Sequence, residues 1–85
     1  MIEDEIKKRL LFLNATKLVL TNDSEQHKHH AGNTGGGHFH LLIISNQFKN
    51  RTRMERHRLI YDALSDLMPE SIHALSIKTL SPEER

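Results

Sequence analysis

The sequence contains no cysteine among its 85 residues, and this absence is the strongest constraint on its chemistry. Without cysteine the chain can form no disulfide, which is compatible with a reducing compartment. It also has no thiolate to offer an iron–sulfur cluster, whose irons are usually held by cysteine sulfur. Such a cluster would need sulfur ligands from a second molecule, whereas zinc or copper could bind to this chain alone.

Charge of one sign, long apolar runs and catalytic motifs are also scarce. The formal net charge is only +1, so the protein as a whole has no strong attraction to nucleic acid or membrane. The longest strongly apolar run, Leu41–Ile44, is far too short to span a bilayer. The acidic start at Glu3–Glu5 is unlike a secretory signal or a transit peptide, which favours a cytoplasmic protein.

The sequence gives no sign of catalysis. There is no cysteine nucleophile and no His-Glu-X-X-His motif, and the glycine run Gly35–Gly37 lacks the lysine of a phosphate-binding loop. We therefore expect a protein that is not an enzyme. The length suits a single domain over residues 1–85, with one core and no linker.

Histidine is abundant instead. Four of the seven histidines lie between His27 and His38, in a stretch that contains three consecutive glycines. Histidine is the commonest metal-ligating side chain, and its ordinary pKa lies near neutrality. About fourteen residues of this composition between two strands indicate either a loop ordered by a metal or a partner, or a polar connection without a function.

The first half of the chain predicts a helix and two strands. Apolar residues recur at helical spacing from Ile2 to Leu13, and Asn14 is a plausible stop. Lys17–Thr21 has the composition of a short strand. Phe39–Ser45 predicts a second strand, whose continuous apolar centre favours a central place in the sheet.

The second half predicts a helix and a third strand. The helix should run from about Arg53 to Met68 and end before Pro69, and Ile72–Leu80 has the pattern of a strand. The first two strands should pair antiparallel, and a right-handed helical crossover should leave the second and third parallel. The expected fold class is α+β, with helices packed on one face of a mixed three-stranded sheet.

Three histidines outside this stretch, together with His38 at its end, carry weaker signals. His73 lies at a strand start on the side of Leu75, so it is either a half-buried structural side chain or a ligand. His57 lies on the apolar side of its helix, which favours a structural role. His38 and His40 share one strand face and are expected at the surface, where a pair at this spacing is only a weak metal signal.

A basic run suggests a second class of function. It carries five cations against one acid, Glu55, and so a local charge of +4 (five minus one). Such a run could contact nucleic-acid phosphates, or it could be a solvated face or a docking surface. With the overall charge near zero, nucleic-acid binding should be weak and strongly salt-dependent. The candidate nucleic-acid-binding residues are Lys49, Arg51, Arg53, Arg56 and Arg58.

The order and spacing of several motifs resemble the BolA family over nearly the whole chain. The combination of Arg56-His57-Arg58 with a downstream Ile72-His73-Ala74-Leu75 is the most specific part. The other matching residues are His38-Phe39, Ile44-Ser45, Phe48, Ile60-Tyr61 and Pro82-Glu83. The resemblance implies a class II KH-like α-β-β-α-α-β fold, although the chain has no GXXG motif between two helices, where KH domains carry the loop that binds single strands.

The same resemblance implies a function in iron–sulfur trafficking or iron regulation beside a monothiol glutaredoxin. In such complexes a [2Fe–2S] cluster is held on one side by sulfurs of glutaredoxin and glutathione. BolA-type proteins hold the other side through a histidine at the start of the last strand and a histidine or cysteine in the first hairpin loop. The protein alone is therefore expected to hold no stable cluster and to be a monomer when free.

The resemblance also selects the candidate ligands. His73 matches the histidine of the last strand. In the loop, Ser24-Glu25-Gln26-His27 matches the family's serine-then-histidine spacing, which makes His27 the first choice, and His30 before Ala31-Gly32 is the second. The chain departs from the family pattern at 34–37, where a serine–glutamate pair usually precedes His-Phe. DNA binding through the basic, KH-like surface is the alternative function.

Overall fold

The computed structural model describes residues 1–23 and 37–85 of the chain. Two helices and three strands make up its regular structure. In chain order they are α1 (Ile2–Arg9), β1 (Lys17–Asn22), β2 (Gly37–Ile44), α2 (Arg53–Leu64) and β3 (Ile72–Leu80). Single 3₁₀ turns lie at Leu11–Leu13, Asn46–Phe48, Ser65–Leu67 and Pro82–Glu84.

The sheet has the predicted topology. Its strand order is β1-β2-β3, with β1 antiparallel and β3 parallel to β2. Leu41 of the central strand pairs with Leu20 on one side and Ile77 on the other. The mixed three-stranded α+β sheet and the central place of β2 are therefore confirmed.

The core lies between one face of this sheet and the two helices. Alternate residues of β2 point into it, because successive side chains of a strand point to opposite faces. The expected packing of the helices on one face is therefore confirmed. The almost fully buried core side chains are Ile6, Leu10, Leu13, Phe39, Leu41, Ile43, Phe48, Ile60, Leu64 and Ile72.

The first helix is shorter than predicted. α1 ends at Arg9, and a 3₁₀ turn continues the chain to Leu13. Asn14 then adopts the left-handed conformation with φ of 49°, which is the predicted stop. Asparagine tolerates this conformation better than most residues, and a left-handed residue cannot continue a right-handed helix.

The ends of α2 follow from local chemistry. Thr52 accepts a hydrogen bond from the backbone of Glu55, whose carboxylate accepts one from the Thr52 amide, so a capping box fixes the start. The α-helix ends at Leu64, earlier than predicted, and a 3₁₀ turn carries the chain to Leu67 before the cis peptide bond of Pro69. Between β2 and β3, one of the two helices that the resemblance implied is thus only a 3₁₀ turn.

The apolar side chains of α2 differ in their burial. Ile60 and Leu64 are buried, but Met54 and Tyr61 are 69% and 37% exposed. No helix in residues 1–23 or 37–85 has the length and apolar character needed to cross a membrane.

Candidate functional site

The parallel pairing of β2 with β3 places the starts of these two strands side by side. Gly37 pairs with Ile72, and its amide donates to the Ser71 carbonyl at 3.0 Å. The Asp23 amide donates to the His38 carbonyl at 2.9 Å, which fixes the end of β1 to the same place. Both residues that flank the segment 24–36 therefore lie at one end of the sheet, hereafter the loop end, together with the start of β3.

Two histidines meet at the loop end. The ring centroids of His38 and His73 lie 5.2 Å apart, with the ring planes tilted by 35°. His73 is exposed and His38 is partly exposed. We call these two residues the histidine pair. Since they come from adjacent strands, the sheet itself holds the two rings at one place on the surface.

A β-bulge explains how His73 reaches the surface. Gly37 pairs with Ile72 but His38 pairs with Ala74, so β3 carries an extra residue, His73, at this point. His73 and Ala74 are consequently both exposed. The expected alternation that put His73 on the same face as Leu75 is therefore wrong, because the bulge shifts the strand by one residue.

A third histidine, His40, belongs to a hydrogen-bonded chain across the sheet. Its Nε2 lies 2.8 Å from Oδ2 of Asp23, and its Nδ1 bonds to the Ser76 hydroxyl. A carboxylate only accepts hydrogen bonds, so Nε2 donates, and Nδ1 of the neutral ring accepts from Ser76. These two hydrogen bonds connect β2 to β3 and to Asp23, the residue that follows β1. His40 thus has both ring nitrogens engaged, whereas His73 is exposed.

One of the three predicted ligands, His73, lies in the part of the chain that the structure describes. His73 lies where the resemblance put it, at the start of the last strand. His27 and His30 lie outside the described residues and stay predictions. Within residues 1–23 and 37–85, no three histidine, aspartate or glutamate side chains are grouped so that they could hold a metal ion by themselves.

The contact between His38 and His73 is not predicted from the sequence. The sequence pattern indicates only that His38 and His40, at alternating strand positions, form a pair at the surface. The signal that identifies the contact is topological: His38 lies at the start of β2 and His73 at the start of β3, and a parallel crossover brings the starts of neighbouring strands together.

The structure separates the predicted basic run into one buried residue, Arg56, and four exposed ones. The Arg56 side chain is buried and its guanidinium contacts Oε1 and Oε2 of Glu84 at 2.6 and 3.2 Å. The same side chain donates to the carbonyls of Arg51 at 3.0 Å and Thr79 at 3.4 Å. Arg56 is therefore committed to contacts within the protein and is poorly placed to contact phosphate.

The other four basic residues are exposed. Lys49 pairs with Glu83 at 2.9 Å, and the Arg51 side chain donates to the Gln47 carbonyl at 3.0 Å. Arg53 and Arg58 have no hydrogen bond or ion pair within the part of the chain that the structure describes. Within the basic run, the positive charges without a partner in the described residues are therefore those of Arg53 and Arg58 on α2.

Comparison with known proteins identifies the family. A family model described as BolA-like protein matches residues 11–84. The chain is 38% identical to the UV-induced protein uvi31 of Schizosaccharomyces pombe, over 96% of this chain and 87% of that protein. Among solved structures, the BolA domain of SufE1 from Arabidopsis thaliana superposes with a TM-score of 0.82 at 38% identity, covering 96% of this chain and 93% of that domain. The chain therefore belongs to the BolA-like family.

Other relatives are longer than this chain. It is 38% identical to the DNA-binding transcriptional regulator BolA of Haemophilus influenzae, over 76% of this chain and 63% of that protein. It is 37% identical to the SufE-like protein 1, chloroplastic/mitochondrial, of Arabidopsis thaliana, over 98% of this chain but only 23% of that protein. The chain thus spans less than two thirds of these two relatives.

Proposed function

We propose that this protein is a non-enzymatic partner of a monothiol glutaredoxin, with which it shares a [2Fe–2S] cluster as cargo in iron–sulfur trafficking or iron regulation. The observation that carries the proposal is the histidine pair, in which two imidazoles from neighbouring strands lie 5.2 Å apart at the surface. Membership of the BolA-like family supports it.

The chemistry of the donors fits half of a cluster site. The chain supplies nitrogen donors and no thiolate, so glutaredoxin and glutathione would supply the sulfur. Imidazole in place of thiolate on one iron raises the reduction potential, as in Rieske centres. Because imidazole binds metal only in its neutral form, retention of the cluster should weaken in acid.

The proposed ligand set is His73 together with one further histidine. The candidates are His27 and His30 of the segment 24–36, which joins the sheet at the loop end, and His38, which already contacts His73. The bound cluster would supply iron and sulfide for transfer, while these side chains hold it exposed enough to be passed on.

The test is reconstitution with a monothiol glutaredoxin, glutathione, iron and sulfide, followed by gel filtration and visible absorption. We expect a coloured heterodimer whose spectrum differs from that of the glutaredoxin homodimer. His73→Ala should change this spectrum, and so should alanine at the second ligand among His27, His30 and His38. His29→Ala is the matched control from the same stretch and should have no effect. No heterodimer and an unchanged homodimer spectrum would refute the proposal.

A second candidate function is DNA binding by the basic surface of α2. It is favoured by the unpaired Arg53 and Arg58 and by the similarity to the DNA-binding transcriptional regulator BolA of Haemophilus influenzae. Replacing both arginines by glutamine should weaken DNA binding and reduce its salt dependence by about one unit for each phosphate that is no longer bound. The same double variant should leave the cluster spectrum intact, which separates the two functions.

Location and assembly complete the proposal. We propose a cytoplasmic protein that is monomeric when free, although one of the relatives above carries a chloroplastic/mitochondrial name. Sedimentation with and without glutaredoxin would test the assembly, and fluorescent tagging in the source cell would test the location.

A further inference from the structure

The exposed side of α2 combines two features that the cluster proposal does not use. Five residues line an open hollow with a volume of about 590 Å³. Their spacing of one, four, five and eight residues from the first places them on one side of the helix. We call this surface the α2 face, and its residues are Arg53, Met54, His57, Arg58 and Tyr61.

The first feature is exposed apolar surface. Met54 is 69% exposed and Tyr61 is 37% exposed. The Tyr61 hydroxyl donates to the Leu75 carbonyl at 3.3 Å, which anchors the tip of the side chain on β3. A flexible thioether beside an anchored aromatic ring is a combination suited to receiving an apolar side chain of a partner.

The second feature is positive charge without internal compensation. The fold neutralises other basic side chains: Arg9 pairs with Glu5 and Asp66, and Arg56 pairs with Glu84. Arg53 and Arg58 have no such partner in residues 1–23 and 37–85. The nearby acid, Glu55, directs its carboxylate to the Thr52 amide at 2.8 Å. An acidic partner would therefore meet available guanidinium groups.

His57 adds no third charge to this surface. Burial, and then the charge of Arg53, lower the pKa of His57 below its usual value, so the ring is mainly neutral at pH 7. By helix geometry, Arg53 and Arg58 lie at the two lateral edges of the α2 face, and its uncharged residues lie between them. This arrangement matches an apolar anchor flanked by acids better than it matches a continuous row of phosphates.

We propose that the α2 face is a docking surface for an acidic peptide segment of a partner protein, in which an apolar side chain enters the hollow and flanking carboxylates bind Arg53 and Arg58. The segment could belong to any partner with this chemistry. The surface is separate from the histidine pair, so the proposal does not depend on the cluster function.

The test uses fluorescence anisotropy of the full chain with labelled synthetic peptides. The probe carries one phenylalanine between glutamates and aspartates. Its two controls replace the phenylalanine by serine, or all acids by their amides. We expect saturable binding of the probe and much weaker binding of both controls. Equal binding of the serine control would overturn the apolar anchor, and equal binding of the amide control would overturn the carboxylate contacts.

Variants of the chain then locate the site. Arg53→Glu and Arg58→Glu should each weaken probe binding about fivefold, as expected for loss of an exposed ion pair. Met54→Glu should weaken it by about tenfold or more, because an apolar side chain is removed and charge repulsion is added. Lys17→Glu makes the same change in net charge on β1, the far edge strand, and should alter binding less than about twofold because salt screens distant charges.

Two further outcomes decide the proposal. His73→Ala should leave probe binding unchanged, so a failed cluster reconstitution and a failed peptide test are separate results. A labelled oligothymidylate tests the competing occupant of the same face. If it binds through Arg53 and Arg58 while the acidic peptide shows no saturable binding, the α2 face is a nucleic-acid surface and the proposal is wrong.

Discussion

The two ends of β3 place their ionisable side chains in opposite environments. At its start, His73 is exposed and contacts His38 of the neighbouring strand. At its other end, Arg56 of α2 is buried against the Thr79 carbonyl and pairs with Glu84. β3 thus begins at an exposed histidine and ends beside a fully engaged cation.

This difference shows how burial separates residues that stabilise the fold from residues that are free to bind a partner. A buried guanidinium must be satisfied by the protein itself, since an unpaired buried charge is strongly destabilising. The exposed imidazole of His73 has no such requirement, because water can satisfy it. Arg56 should therefore contribute to stability, and His73 to binding.

The largest effect on stability is expected from Arg56→Ala. The variant leaves the carbonyls of Arg51 and Thr79 without their side-chain donor and should lower the free energy of unfolding by about 2–3 kcal/mol. Arg58→Ala is the matched control on the exposed side of the same helix and should change it by less than about 0.5 kcal/mol. Urea denaturation compares the two, and equal losses would contradict the division of the basic run.

A smaller loss is expected at the loop end from Gly37→Ala. An added Cβ would lie 2.1 Å from Cε2 of Phe39, a core ring that is only 2% exposed. The ring has little room to move, so we expect about 1–2 kcal/mol of destabilisation by overpacking. Thermal unfolding measures it. An unchanged melting temperature would show that the start of β2 is less tightly packed than the structure indicates.

The stability of the protein in acid should depend on the ion pair between Arg56 and Glu84, beside the end of β3. The guanidinium of Arg56, and then the Ser81 amide, lower the pKa of Glu84 to about 2 from its usual value of about 4.5. Because the folded-state pKa is depressed, this contribution is present above pH 4.5 and is lost as the pH falls toward 2. Wild type should therefore be more stable than Glu84→Gln at neutral pH, and the difference should disappear through this range. If the difference in stability between wild type and Glu84→Gln stayed constant with pH, the ion pair of Glu84 with Arg56 would not be its cause.

The smallest effect on stability is expected from His73→Ala. The side chain is exposed, so the free energy of unfolding should change by less than about 0.5 kcal/mol. The cluster spectrum of the glutaredoxin complex should nevertheless change. If the variant were as destabilised as Arg56→Ala, His73 would be a structural residue and the contrast between the two ends would disappear.

The sequence was sufficient for the topology because each strand has its own signal. Apolar composition marks the strands, and Asn14 and Pro69 mark the stops. Parallel pairing then follows from a helical crossover. The exact helix ends could not be predicted in the same way, because a final 3₁₀ turn such as Ser65–Leu67 continues the same apolar pattern.

The candidate site could be predicted only in part from the sequence. Arg56 and Arg58 belong to one basic tripeptide, but Arg56 lies on the helical row of Ile60 and Leu64, all three of which are buried. That spacing is visible in the sequence and identifies Arg56 as an inward residue. By contrast, the bulge that exposes His73 beside His38 depends on how β2 and β3 align, which residue composition does not specify.

The most direct test of the central claim is pulsed electron paramagnetic resonance of the reduced heterodimer with glutaredoxin. The protein is prepared with ¹⁵N-labelled histidine and the glutaredoxin without label, so that nitrogen ligands from this chain can be recognised. We predict ¹⁵N couplings of the size expected for nitrogen bound to iron, and their partial loss in His73→Ala. A heterodimer cluster that shows no such coupling would contradict the account.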